Sequence, residues 1–72
     1  MPADKFINCY VNKQDEKRIL IYDYTGKKII EKNFIDYKTI INVESINDGM
    51  YFIEVLTANE KFIKKIFIKH KN

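Results

Sequence analysis

The sequence predicts a small all-β domain, an immunoglobulin-like antiparallel β-sandwich of six or seven short strands. Three observations carry that expectation. Runs rich in Ile, Val, Phe and Tyr recur along the chain, and these residue types fit a pleated, half-buried surface. Turn signals separate the runs at about 8–12 residues, a spacing that favours a sandwich or barrel over a helical bundle. The chain has 72 residues, 46% of them apolar and 32% charged, a composition that argues for a folded domain and against disorder. Residues 1–72 are therefore read as one domain with a thin core, because a chain of this size buries only about 60% of its unfolded surface. A deep catalytic cleft is not expected.

Each element follows from local pattern. Ile7, Cys9 and Val11 alternate with Asn8 and Tyr10, giving a first strand with one apolar face. Asn12 to Glu16 is a polar break. Lys17 to Tyr24 is a second strand around Ile19, Leu20 and Ile21. Thr25-Gly26-Lys27 reads as a tight turn, since Gly accepts positive φ without strain, and Lys28 to Lys32 returns through Ile29 and Ile30. Tyr37 to Val43 is a further run with Ile41 and Val43 on one face. Asn47-Asp48-Gly49 is the strongest turn signal in the chain, with Met50 to Leu56 as the apolar strand after it. Thr57 to Glu60 makes a hairpin connection, and Phe62 to Lys69 closes the sheet.

The closing segment also fits a helix, because Phe62, Ile63, Ile66, Phe67 and His70 share one helical face. β-Branched and aromatic residues fill it, so a strand is the preferred reading. As a strand it sets Phe62, Lys64, Ile66 and Ile68 on one face. Tyr51, just inside a late strand and two residues after Gly49, is placed for a tyrosine corner, its hydroxyl bonding back to the preceding bend.

The net charge of +3 is unevenly placed. Lys61, Lys64, Lys65, Lys69 and Lys71 crowd the last dozen residues with no acid among them, whereas the rest is nearly balanced. Such an end suits an acidic partner, a phosphate-rich surface or water. The lone Cys9 permits no intrachain disulfide, and on an apolar alternation it reads as a small buried hydrophobe. No apolar stretch exceeds four residues, far short of a membrane span, so no membrane insertion is expected. The opening Met1-Pro2-Ala3-Asp4 lacks the charged and apolar regions of a signal peptide, so an export signal is expected elsewhere in a parent protein.

Catalytic and metal chemistry find little support. His70 and Cys9 lack metal-ligand spacing, and His70, flanked by lysines, reads as solvent-exposed. Asp23, Asp36 and Glu54 are scattered among lysines, with nothing to pair them for acid–base work. Gly26 and Gly49 are single turn glycines and make no phosphate-cradling loop. The domain is expected to need no cofactor and to carry no enzyme activity.

The order of the pieces is more specific than any one of them. PADKFINCYV is similar to the Asn-Pro-Ala opening and first strand of the C-terminal sorting domains of type IX secretion systems (type A, the Por secretion family), with Pro2, Ile7 and Cys9 in matching places. RILIYDYTGKKII resembles that family's second strand, turn and third strand, Gly26 and Lys27 matching its Gly-Lys step. INVESINDGMYFIEV resembles its Ile-x-Val-x-x-Leu block leading to Gly-x-Tyr, matched by Gly49 and Tyr51, with Ile46 in place of the commoner Leu. KFIKKIFIKH resembles the closing strand, where Lys65 and Lys69 match a lysine pair, and Asn72 agrees with a domain that ends its parent.

The resemblance implies an immunoglobulin-like sandwich that is an address rather than a catalyst. It implies recognition by the type IX translocon and its shuttle component, cleavage by a cell-surface sortase-like protease, transit through the periplasm, and a secreted or surface-attached parent. Gly49, Tyr51, Lys65 and Lys69 become the recognition candidates, with Gly26 and Asp48 as turn residues. A monomer is expected, and no nucleic-acid partner. Two other classes remain open. One is a sandwich module of an adhesin or secreted enzyme, structural or carbohydrate-binding. The other is a single-stranded nucleic-acid binder using Tyr10, Tyr22, Tyr24 and Phe34 as a stacking platform.

Overall fold

In the computed structural model all regular structure is strand: β1 (Pro2–Ala3), β2 (Phe6–Tyr10), β3 (Lys17–Asp23), β4 (Lys28–Phe34), β5 (Lys38–Asn42), β6 (Gly49–Leu56) and β7 (Lys61–Ile68). The structure describes residues 2–70. Met1, Lys71 and Asn72, and the side chains of Pro2 and Ala3, lie outside what is described. A five-stranded sheet runs β1-β7-β6-β3-β4, and a two-stranded sheet pairs β2 with β5. The closing segment is a strand and not a helix. All pairings are antiparallel except β1 with β7, where Pro2 and Ala3 run parallel to Phe67 and Ile68. After β1 the chain crosses through Asp4 and Lys5 into the smaller sheet.

The core lies between the two sheets. From the larger sheet, Ile19, Ile21, Tyr51, Ile53, Val55, Ile66 and Ile68 face inward, and Ile7 and Ile41 with the adjacent Val43 meet them from the other side. Alternation explains the choice, since residues two apart on a strand share a face. Each fully buried Ile contributes about 2–3 kcal/mol of apolar transfer. The shortest dimension, 17 Å, is that of two layers. Two strands cannot cover five. Most of β4 and the first half of β7 are consequently exposed.

The turns follow their chemistry. Asp23 Oδ1 accepts hydrogen bonds from the amides of Thr25 (2.9 Å) and Lys27 (3.0 Å) and the Thr25 hydroxyl (2.6 Å). Gly26 takes φ of 89° there. The register of β3 and β4 shifts between Ile21 and Tyr22, leaving Ile29 as the extra residue of a bulge. Between β5 and β6 the hydrogen-bonded turn falls earlier than the Asn47-Asp48-Gly49 signal. Asn42 Oδ1 accepts the Glu44 amide at 2.8 Å, and the Ile46 amide reaches the Val43 carbonyl at 3.1 Å. Asn47 and Asp48 then form the bend that delivers the chain from one sheet to the other.

Candidate recognition surface

The β6–β7 hairpin brings the sequence candidates together. Thr57 and Glu60 close it: the Thr57 amide donates to the Glu60 carbonyl at 2.9 Å, and the Glu60 amide to the Thr57 hydroxyl at 3.0 Å. The register then sets Phe52 opposite Lys65, Tyr51 opposite Ile66 and Gly49 opposite Ile68. Lys69 follows one residue beyond that last pair. Gly49, Tyr51, Lys65 and Lys69 therefore occupy the same end of two adjacent strands.

They do not share a face. Tyr51 is 7% exposed in the core, and its hydroxyl donates to the Asn47 carbonyl at 2.7 Å, the tyrosine corner expected from its position. Burial and the nearby Asp23 and Asp48 carboxylates push its phenol upward. Gly49 has φ of 153°, a backbone that L side chains rarely adopt. Lys65 alternates onto the outer face with the exposed Ile63 and Phe67. Lys65, Lys69 and Lys64 are exposed, and among the described residues none has an ion-pair partner; Lys61, by contrast, reaches Glu54 at 3.5 Å. Tyr51 and Gly49 shape the corner, while the lysines meet solvent.

Asp48 and His70 fasten that corner to the chain ends. Asp48 Oδ1 accepts the His70 amide at 2.9 Å. The His70 ring sets Nδ1 3.2 Å from Asp4 Oδ1 and Nε2 2.5 Å from the Ile46 carbonyl, with Asp48 Oδ1 3.9 Å from Nε2. The reading of His70 as solvent-exposed is thus corrected. The parallel β1–β7 pairing carries Asp4 to the end of β7, a juxtaposition that no local pattern announces. The Ile46 carbonyl, then Asp4 and Asp48, hold the imidazole above its ordinary range.

Lys17 was not singled out by its sequence, yet it is 1% exposed. Its ammonium donates to the carbonyls of Lys13, Asp15 (2.8 Å) and Ile35 (2.7 Å) and sits 4.8 Å from the Phe34 ring centroid. The signal was available: Lys17, Ile19 and Ile21 share strand parity, so a strand with the isoleucines inside carries Lys17 inside as well.

The remaining candidates separate. Cys9 is half-buried against the core, and burial pushes its thiol upward. Tyr10 lies on the smaller sheet, Tyr22 on the larger one and Tyr24 in the β3–β4 turn, while Phe34 packs against the core; the four aromatics do not form one platform. An open apolar groove of about 280 Å³ runs between β2 and the β6–β7 hairpin, lined by Ile7, Cys9, Val55, Phe62 and Ile66 among others.

The class of protein is thus a small two-sheet β-domain with exposed lysines free of ion pairs among the described residues along one strand and a fastened corner beside it. Residues 1–69 match the family of secretion system C-terminal sorting domains, and the chain belongs to that family, the sorting domains of type IX secretion. It is thus a secretion sorting signal that directs export out of the cell through interaction with the type IX system. No curated protein and no solved structure matches it significantly.

Proposed function

We propose that residues 1–72 act as one sorting domain of a larger exported protein, read in the periplasm by the type IX translocon and its shuttle component. A cell-surface sortase-like protease then removes the domain and leaves the parent secreted or attached to the surface. In this reading Lys65 and Lys69 contact the export machinery. Gly49 and Tyr51 act through the corner they hold, with Asp48 fastening it and Gly26 setting the β3–β4 turn that follows Asp23, the partner of Tyr51 across the sheet. The domain performs no chemistry of its own.

The observation that carries the proposal is the placement of the family's lysine pair. Both residues are exposed and free of ion pairs among the described residues, on and just beyond a strand whose outer edge is paired, among the described residues, only at Phe67 and Ile68. Unsatisfied edge groups and unpaired cations are what a recognition partner uses. The test is secretion of a fluorescent protein carrying an N-terminal export signal and this domain at its C-terminus. Translocon-dependent appearance outside a type IX-competent host is the expected result. Periplasmic retention of the folded fusion, equal in competent and translocon-null strains, would overturn the proposal in favour of a sandwich-type binding module.

A further inference from the structure

Among the described residues the outer edge of β7 is unpaired over most of its length. β1 pairs only with Phe67 and Ile68, and no other described strand pairs with that edge. That stretch is long for an unpaired edge, and its guard against unspecific pairing is the charge of Lys61, Lys64 and Lys65. The opposite edge, β4, is bent by the bulge at Ile29 and carries its charges in internal pairs, Lys28 and Arg18 both meeting Glu31. β2 and β5 have five residues each. β7 has no bulge in its pairing with β6, and apolar side chains stand on both of its faces: Phe62 is 50% and Ile63 60% exposed.

Next to this edge lies the groove between β2 and β7. Its floor is apolar, from Ile7, Cys9, Val55 and Ile66, and Lys64 stands at its side. A strand laid along β7 would alternate its side chains between this groove and the outer face. Residues directly opposite one another on neighbouring strands are the pairs that interact. The sequence presented by the unpaired part of β7 is Phe62-Ile63, then Lys64-Lys65, then Ile66, before β1 takes up the edge at Phe67. Neither central lysine has an ion-pair partner among the described residues.

We propose that the edge of β7 from Phe62 to Ile66 takes an extended partner segment whose residues opposite it are two apolar, two acidic and one apolar. The acidic pair sits opposite Lys64 and Lys65, one on each face. The apolar residue opposite Phe62 enters the groove, and the one opposite Ile63 covers the outer face. An acidic pair flanked by apolar residues on both sides meets this edge in either chain direction, so β7 specifies the charge step and not the polarity. Backbone pairing supplies affinity, and the charge step supplies register, because a slip by two residues sets acids against Phe62 and Ile63 and leaves both lysines against apolar groups. The identification of the segment's owner as part of the export machinery rests on the sorting function proposed above; the surface itself does not.

The test uses the 72-residue chain and a blocked synthetic peptide, Thr-Val-Ile-Glu-Glu-Ile-Val-Thr, followed by amide NMR titration. Shifts concentrated on Phe62–Ile66 and on β2 are expected, with affinity about tenfold or more above that of the Lys-Lys analogue and a gap that narrows with salt. N-methylation of alternate peptide amides weakens binding in one of its two phases, since only one set of amides points at β7. The Lys64→Glu, Lys65→Glu double variant reverses the preference between the two peptides while the β3 amides stay in place. Equal affinity for both peptides, shifts on β4 instead, or self-association through β7 that excludes the peptide would each overturn the proposal. Secretion of the reporter without peptide binding would overturn this surface and leave the sorting role intact. Peptide binding without secretion would overturn the sorting role and leave this surface standing.

Discussion

His70 Nε2 lies 2.5 Å from the carbonyl oxygen of Ile46, while Nδ1 of the same ring faces the Asp4 carboxylate at 3.2 Å. Both neighbours accept hydrogen bonds, so only the doubly protonated imidazolium donates to both. A neutral ring sets one lone pair against an acceptor. The clasp joins three places distant in sequence, and its strength depends on that proton.

A pH dependence follows. The folded-state pKa of His70 is raised, the Ile46 carbonyl being the first cause and Asp4 and Asp48 adding to it. A raised pKa stabilises fully below the unfolded value of about 6.5 and is lost as pH climbs through the folded value. The melting temperature is therefore expected to fall as the pH climbs above about 6.5, and the chain's single histidine is the group that carries this slope. His70→Gln removes that slope. Calorimetric melts of both proteins across the window check it, and an identical slope in the variant would sink the clasp.

Tyr51→Phe tests the corner beside it. The substitution keeps the ring in the core and removes only the hydroxyl that donates to the Asn47 carbonyl. The expected cost is about 1 kcal/mol, or about 4–8 °C in melting temperature for a domain of this size. Denaturant unfolding with an unchanged m-value would show that the loss is local stability rather than a changed denatured state.

The sheet scaffold was legible because its signals are local. Ile19 with Ile21, and Ile41 with Val43, announce their shared faces by parity, and Gly26 with Asp23 announces a turn by chemistry. What escaped depends on contacts between distant segments. The fate of His70 turns on the parallel addition of β1 to β7, which brings Asp4 alongside across 66 residues. The inward Lys17 was missed although its parity with Ile19 and Ile21 carried the signal, and only the loops at Lys13, Asp15 and Ile35 show how its charge is satisfied. The lysine group on β7 was legible as composition, whereas the edge beneath it, paired among the described residues only at Phe67 and Ile68, is a property of strand order.

Lys17→Met is the sharpest test of that hidden contact. Met has similar length and keeps the buried methylenes, but it leaves the carbonyls of Asp15 and Ile35 without the ammonium they share. The expected loss is about 1–3 kcal/mol, with faster amide exchange in both loops. Lys17→Arg does not restore it, because a planar guanidinium cannot converge on three carbonyls as a compact ammonium does.

Gly49→Ala separates backbone from space. An added Cβ meets Tyr51 at 3.7 Å, an ordinary contact, so the strain comes from φ of 153°. A cost of about 1–3 kcal/mol is expected. Thermal melts and the position of the Tyr51 resonance report whether the corner opens.

Lys65→Ala with Lys69→Ala addresses export directly. Both side chains are exposed and unpaired among the described residues, so stability should change by no more than about 0.5 kcal/mol per site. If each lysine meets an acidic group on the export machinery, each contact contributes about 0.2–1 kcal/mol and the pair lowers affinity by up to about thirtyfold. Secretion of the fused reporter is then expected to drop while the melting temperature holds. Substitution by Arg at both positions keeps the charge and restores export, whereas a requirement for lysine itself would leave the Arg variant as defective as the Ala one. Unchanged secretion of the Ala variant would remove these two lysines from the recognition surface and shift attention to the backbone edge of β7.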